Sequence, residues 1–515
     1  MTTKNALEFK AYYEWLGGQN SSAAPDNLSD DELRRLINFD VRVRGSIKTR
    51  VGTSTVAWVA TAGLSGVKID RTAEFATVSG TLVQVVLAGN ALYNRASATP
   101  ILASAGYTMS TTVYNNKMYL MIKGSYYTYD GTTITEITNA QGDSMLSTIK
   151  SCKYIEARAD RIFCSGNPAA PNTLYYSQVG DPTYFKSGQF MVQAASDDGD
   201  CITGLREFNE ALLVFKARGV WAWFGYSIAT DVRFVKLNVH TGTSAERTIK
   251  NVGVMLFYLG EDGVYAMTGT YSGSISTSKV SISVDDKFKK LHKATNAYES
   301  TACAVYTDGK YYISYCSETG VVGQDMTINN MVMVCHADVD MKRLPWTEYQ
   351  GIAFRDTLPS SDGTVYYANA TTPVFWKFDD SKYGDMGSNM VFHLSTKAYD
   401  LGSPIHNKKI KAGWLTLNQG VVEDTTIDVT VHTDYEDTNI VMEDMSADES
   451  LVWDYGEWDV ARWDWIDTVT KFFKINRKVV RVSIDIDGET NDTTKNMVFL
   501  YGTAFMFKMK KPYKG

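Results

Sequence analysis

The chain has 515 residues, 44% of them hydrophobic and 21% charged, with a formal net charge of −7. That length exceeds one simple core and implies two or three domains or one large repeat array. The acidic balance argues against broad gripping of nucleic acid, which normally needs a basic excess. Aromatics make up 12%, led by 31 Tyr, beside 39 Gly and only 10 Pro, a balance that leans to β-structure.

The first 18 residues lack the apolar core of a signal peptide, and no window approaches an apolar membrane span. The six cysteines (152, 164, 201, 303, 316, 335) form no CxxC pair and read as reduced, mostly buried thiols.

Residues 1–54 read as an arm, a short helix and a hairpin. Ser29 and Glu32 have capping-box spacing, and Leu33, Leu36 and Ile37 share a helical face, so a helix is expected over 30–37. Val41 and Val43, then Ile47 and Val51, alternate around Gly45 as a hairpin with a basic outer face.

Over 55–384 hairpin signals recur. Ala211–Phe215 and Val220–Phe224 flank a Gly-containing break, and Val254–Leu259 and Val264–Met267 flank Glu261-Asp262-Gly263. Turn pairs at 115–116, 209–210, 262–263, 308–309 and 362–363, with Asp160 between the first two, are spaced by about one four-stranded blade. The pattern predicts an all-β chain with a β-propeller of five to seven blades, six expected. A four-stranded sheet cannot bury both faces alone, and packing blades around an axis covers them. One helix-like insertion, Val284–Leu291, places acids before lysines as the helix dipole favours.

Residues 385–515 carry long alternating strands such as Ile410–Leu417, Ile427–His432 and Lys478–Ile486, the pattern of a β-sandwich platform. A projecting insertion, 434–470, interrupts it. The insertion is acidic through Asp434, Glu436, Asp437, Glu443, Asp444, Asp448 and Glu449, and then carries Trp453, Trp458, Trp463 and Trp465. The acids are expected at a channel or tip and the tryptophans in subunit or tip packing.

Motifs for catalysis are missing: no Gly-rich phosphate loop, HExxH or GxSxG occurs, and the six histidines are scattered. Asp197-Asp198-Gly199-Asp200 and Asp485-Ile486-Asp487-Gly488 lack the full calcium-ligand series and read as β-turns. The chain is therefore expected not to be an enzyme and to hold no metal or cofactor. A propeller can nevertheless host a glycosidase, given two carboxylates across a pocket and, in sialidase-like enzymes, an Arg cluster.

Asp30-Asp31-Glu32-Leu33 with Asn38 and Arg44–Gly52 resembles the opening of phage tail nozzle (hub, or tail tubular B-type) proteins. Leu174–Pro182, the stretch from Ile202 through Trp221 to Gly242-Thr243-Ser244 and Gly260–Tyr265, and the closing strands Lys478–Lys508 resemble the same family. The resemblance implies a structural virion protein of the tail, assembled in the host cytoplasm as a homo-oligomeric, typically hexameric ring. Such a ring sits below the portal and an adaptor or head-to-tail connector, with tail fibres or spikes as further partners. It retains the packaged genome, and double-stranded DNA passes its lumen without sequence-specific binding. An acidic wall suits that passage, because negative side chains repel phosphates. The alternatives are a carbohydrate-binding or carbohydrate-cleaving propeller acting in receptor recognition, and a scaffold propeller binding proteins through its top face.

Overall fold

The computed structural model describes residues 7–512 apart from 42–45, 61–62, 65, 139–141, 196–197, 227–230, 270–274, 290–300, 319–323, 341, 419–426, 435–436, 443–467 and 493–496. Almost everything regular in it is strand, as the Tyr- and Gly-rich composition predicts.

Seven four-stranded antiparallel arrays, not six, follow one another as blades. The first runs from Ile69 to Leu102, and the next four lie at 109–136, 154–193, 202–236 and 250–279. Blade six spans Cys303–Tyr349, and blade seven takes three strands from Phe354–Asp379. Its fourth strand is Gly52–Val56, which pairs antiparallel with Phe375–Asp379. The last blade therefore looks incomplete in sequence, because one of its strands lies some 300 residues upstream, and the count falls at the top of the expected five to seven. The borrowed strand also closes the ring, so opening it requires breaking a ladder of backbone hydrogen bonds.

The expected hairpin turns are where their residues need them. Asn115-Asn116, Ala159-Asp160, Asn209-Glu210 and Asp308-Gly309 all have positive φ at both positions. That is the type I′ geometry, whose twist matches the flanking strands. Each joins the innermost strand of a blade to the next strand out.

Seven apolar cores lie one between each neighbouring pair of blades. Trp223 shows the type: it is buried, with Phe163 and Tyr176 of the preceding blade 5.4 and 5.2 Å from its ring. Trp221 stacks on Phe234 and Tyr265 on Tyr258 within their own blades, and both pack, partly buried, against the adjoining inter-blade cores.

An eighth core belongs to the sandwich. One sheet carries His406–Asn418, Thr468–Val479 and Phe499–Pro512, with Glu8–Tyr13 on its edge and Phe39–Val41 and Ile47–Thr49 beyond. The facing sheet holds Glu32–Ile37, Met390–Thr396, Val482–Thr490, Ile427–Thr433 and Asp437–Met442. Ile37 also meets Glu348 of blade six, so this sheet runs into the propeller without interruption.

Three local expectations are corrected. Glu32–Ile37 is a strand, not a helix: Ser29 and Glu32 do close a turn (Ser29 N–H to Glu32 Oε2, 2.9 Å), but the chain then pairs with Leu394 and Ser395. A tertiary ladder outweighs the capping signal there. Asp485–Gly488 is not a turn but the middle of the strand Val482–Thr490. The 39–49 hairpin forms, yet Arg50 beside it is buried rather than on a basic outer face. Its guanidinium bonds both Asp385 carboxylate oxygens, Asn38 Oδ1 at 2.9 Å and the Gln350 carbonyl at 3.1 Å, tying sandwich to propeller. The insertion helix forms over Asp285–Phe288; Leu291 lies outside the described residues. The cysteines form no disulfide, and all but Cys201 are buried. No described helix is long and apolar enough to cross a membrane.

Candidate functional site

The innermost strands of the blades stand side by side around the axis. Five of the seven carry a charged residue, and those of blades two and six carry none. Asp70-Arg71 lies in blade one, Glu156 in blade three, Arg206-Glu207 in blade four and Arg355-Asp356 in blade seven. Between blades four and five a 3₁₀ turn, Glu246–Thr248, inserts beside the inner strands and adds Glu246 and Arg247, with Lys250 just after it. The ring therefore gathers at its centre charges that lie up to 286 positions apart in the sequence, from Asp70 to Asp356. These side chains sit deep in the disc yet keep some accessible area, as residues lining a hollow do.

Part of the cluster is fixed by bonds. Arg355 Nη2 lies 3.0 Å from Asp70 Oδ1, and Arg247 Nη1 donates to the Arg355 carbonyl at 2.6 Å. Asp356 accepts from the Thr72 backbone at 2.7 Å and faces Arg247 at 3.7 Å.

The rest is electrostatically loaded. Burial pushes the Glu246 carboxyl from its ordinary 4.5 up to about 7, with Glu156 adding to it, against the pull of Arg71 and Arg247. Burial likewise raises Glu156 and Asp70. Lys250 is pulled down from 10.5 to about 8 by burial, with Arg206 second, and Arg71 from 12.5 to about 10 by burial and then Arg247. A buried carboxyl held half-protonated near neutrality, beside guanidiniums, is the arrangement that general acid chemistry requires.

A cavity of about 480 Å³ opens onto this cluster. Arg71, Glu246 and Arg247 line it from the centre, and Ser110, Lys153 and Tyr154 from blades two and three. Its volume is in the range of small-molecule sites. Ionic and hydroxyl groups converge there, while the Met109, Met121 and Ile122 side add apolar surface.

Of the residues singled out from sequence, the two that are described, Asp434 and Asp437, lie in the sandwich. Asp434 caps the turn after Val479, accepting from the backbone N–H groups of Val480 and Arg481, the second at 3.2 Å. Asp437 holds His432 Nδ1 at 2.8 Å. Glu436, Glu443, Asp444, Asp448, Glu449, Trp453, Trp458, Trp463 and Trp465 lie outside the described residues. The axial cluster was missed, although a signal existed: the first strands of five of the seven blades carry an acid or base, those of blades two and six being the exceptions.

No family model matches the chain, and no curated protein matches it in sequence. Solved structures do resemble it in fold. A streptogramin B lyase is 12% identical over 73% of this chain and 98% of its own, with a TM-score of 0.35. An exo-β-1,3-galactanase from Phanerochaete chrysosporium is 9% identical over 88% of this chain and 100% of its own, at 0.23. A chain described as a glycoside hydrolase is 8% identical over 85% and 97%, at 0.26. Such likenesses concern architecture alone. The expectation of a non-enzyme is nevertheless withdrawn: one fold hosts many functions, so missing sequence motifs do not exclude catalysis.

Proposed function

We propose that the chain is a saccharide-recognising propeller whose axial cavity takes an acidic sugar and can cleave its glycosidic bond. One observation carries this reading: Glu246, with its carboxyl near 7, lines a cavity of about 480 Å³ together with Arg71 and Arg247. Arginines pair with the sugar's carboxylate or another anionic substituent. A carboxyl that is still protonated at neutral pH can give its proton to a leaving glycosidic oxygen. Glu156 raises Glu246 but borders a neighbouring hollow with Arg206, so the proton-donating role rests on Glu246 alone. The test is to incubate the purified chain with polygalacturonate, hyaluronate and neutral dextran, following retention and new reducing ends. The acidic glycans should be retained and cut, and Glu246→Gln should bind without cutting. If no acidic glycan is retained or cut, the reading is wrong.

A second reading, a wall subunit of a phage tail nozzle, follows from the sequence resemblance and has one structural feature in its favour. Blade six and one sandwich sheet form a single continuous sheet, and the buried Arg50–Asp385 pair ties the two parts together. Such a stiff subunit suits a load-bearing ring below a connector. Class averages of the purified chain showing closed rings would support this role, and a persistent monomer would count against it.

A further inference from the structure

The axial cavity is more basic than a single carboxylate requires. Four of its described lining residues are bases, Arg71, Lys123, Lys153 and Arg247, and Glu246 is the one acid among them. The chain as a whole leans the other way, with a net charge of −7. The excess of positive charge is therefore local to this hollow.

The four bases stand at two depths. Arg71 and Arg247 sit at the axis, where both act on Glu246. Lys123 and Lys153 are exposed and stand at the mouth. Lys153 immediately precedes the inner strand of blade three, Tyr154–Arg158. Lys123 lies one strand further out, in the turn between Lys117–Ile122 and Ser125–Tyr129 of blade two. Strands in a sheet are about 4.8 Å apart, so Lys123 is about 5–7 Å further from the axis than the inner strands. That step separates substituents on neighbouring sugars, not the two oxygens of one carboxylate.

The fold itself makes little use of these bases. Among the described residues, neither lysine ammonium has a hydrogen-bond or ion-pair partner, and the Arg71 guanidinium donates only to the Asp70 carbonyl. Like charges brought together repel unless an anion joins them. Lys123 is also held in place by its backbone: φ is +54° there and +69° at Gly124. Asn, Asp and Gly are the usual occupants of such a turn, and a lysine there is strained.

The chemistry of the two groups differs as well. A guanidinium fork matches a planar carboxylate, whereas an ammonium is a compact point charge suited to a tetrahedral anion. Between them Met109, Met121 and Ile122 give the wall an apolar side for the face of a sugar ring.

We propose that the saccharide of the axial cavity carries two anionic groups, a carboxylate held by Arg71 and Arg247 and a sulfate or phosphate ester on the adjoining sugar held by Lys123 and Lys153. This rests on the axial saccharide reading and specifies its substrate as an esterified uronate glycan.

The test titrates the chondroitin disaccharide, in plain, sulfated and phosphorylated forms, calorimetrically into the full chain. At about 50 mM salt an ester should tighten binding about tenfold, the size that two exposed ion pairs supply, and less at about 500 mM. The ester with the larger gain identifies the natural substituent. Lys123→Gln/Lys153→Gln should remove the gain, and Ser151→Glu, which sets an acid among the exposed lining residues, should reduce it. Arg71→Gln should weaken all three forms alike. Esters bound no better than the plain disaccharide overturn the proposal and leave the axial reading standing. A gain that survives Lys123→Gln/Lys153→Gln also overturns it, and its loss in Lys409→Gln/Lys478→Gln would assign the ester to the sandwich, where these two lysines pair. If no form binds, the axial reading falls and this proposal with it.

Discussion

Replacing Glu246 with Gln tests the axial electrostatics directly. In the unfolded chain a Glu titrates near 4.5, whereas burial in the folded chain holds this one at about 7. Below 4.5 both states carry the proton and Glu246 makes no difference to stability. As pH rises, the unfolded state releases its proton first, so the folded state binds more protons and stability falls. The loss is complete above 7, where the folded state must keep a buried carboxylate. At about 1.4 kcal/mol per pH unit, the interval between 4.5 and about 7 corresponds to about 3 kcal/mol. Lys250, at about 8, has barely begun to titrate over most of this window and stays charged in both states. Gln keeps the shape and cannot ionise. Urea unfolding followed by tryptophan fluorescence, at several values between pH 4.5 and 7.5, should show wild type losing about 3 kcal/mol more than Glu246→Gln. Parallel pH profiles for the two proteins would refute the claim that Glu246 is a strained, protonatable carboxyl.

Further outcomes follow from other sites. Arg50→Ala leaves Asp385 buried without its bidentate partner and should cost about 3–5 kcal/mol in the same urea assay. Arg50→Lys should recover only part of this, because a single ammonium cannot span both oxygens. A Cβ on Gly488 would fall 2.3 Å from the Phe392 ring and one on Gly413 2.4 Å from that of Phe473, so Ala at either position should cost about 1–3 kcal/mol. Adding Phe392→Leu to Gly488→Ala should recover part of the loss by double-mutant cycle. Ser54→Pro removes a ladder donor from the ring-closing strand opposite Lys377. Limited proteolysis should then cut first near the junction of blades one and seven.

Much of the architecture is legible in the chain because blades are local. Each inner hairpin joins neighbours in sequence, and pairs such as Asn115-Asn116 and Asp308-Gly309 announce the positive-φ turns they adopt. The alternating strands after 385 announce a sheet with one apolar face in the same way. Turn chemistry and side-chain period act within a few residues, so sequence determines them.

What sequence left open depends on contacts between distant segments. Glu32–Ile37 reads as helix until Met390–Thr396 offers it a ladder, and Gly52–Val56 straddles the expected boundary at 54 between hairpin and propeller until it completes blade seven. The blade count hangs on that one pairing. The candidate site depends on it more strongly still. Asp70, Glu156 and Asp356 sit in separate strands and Glu246 in a 3₁₀ turn, and only closure of the ring brings them together with four arginines around one axis. Burial there, which no local pattern encodes, lifts Glu246 to about 7.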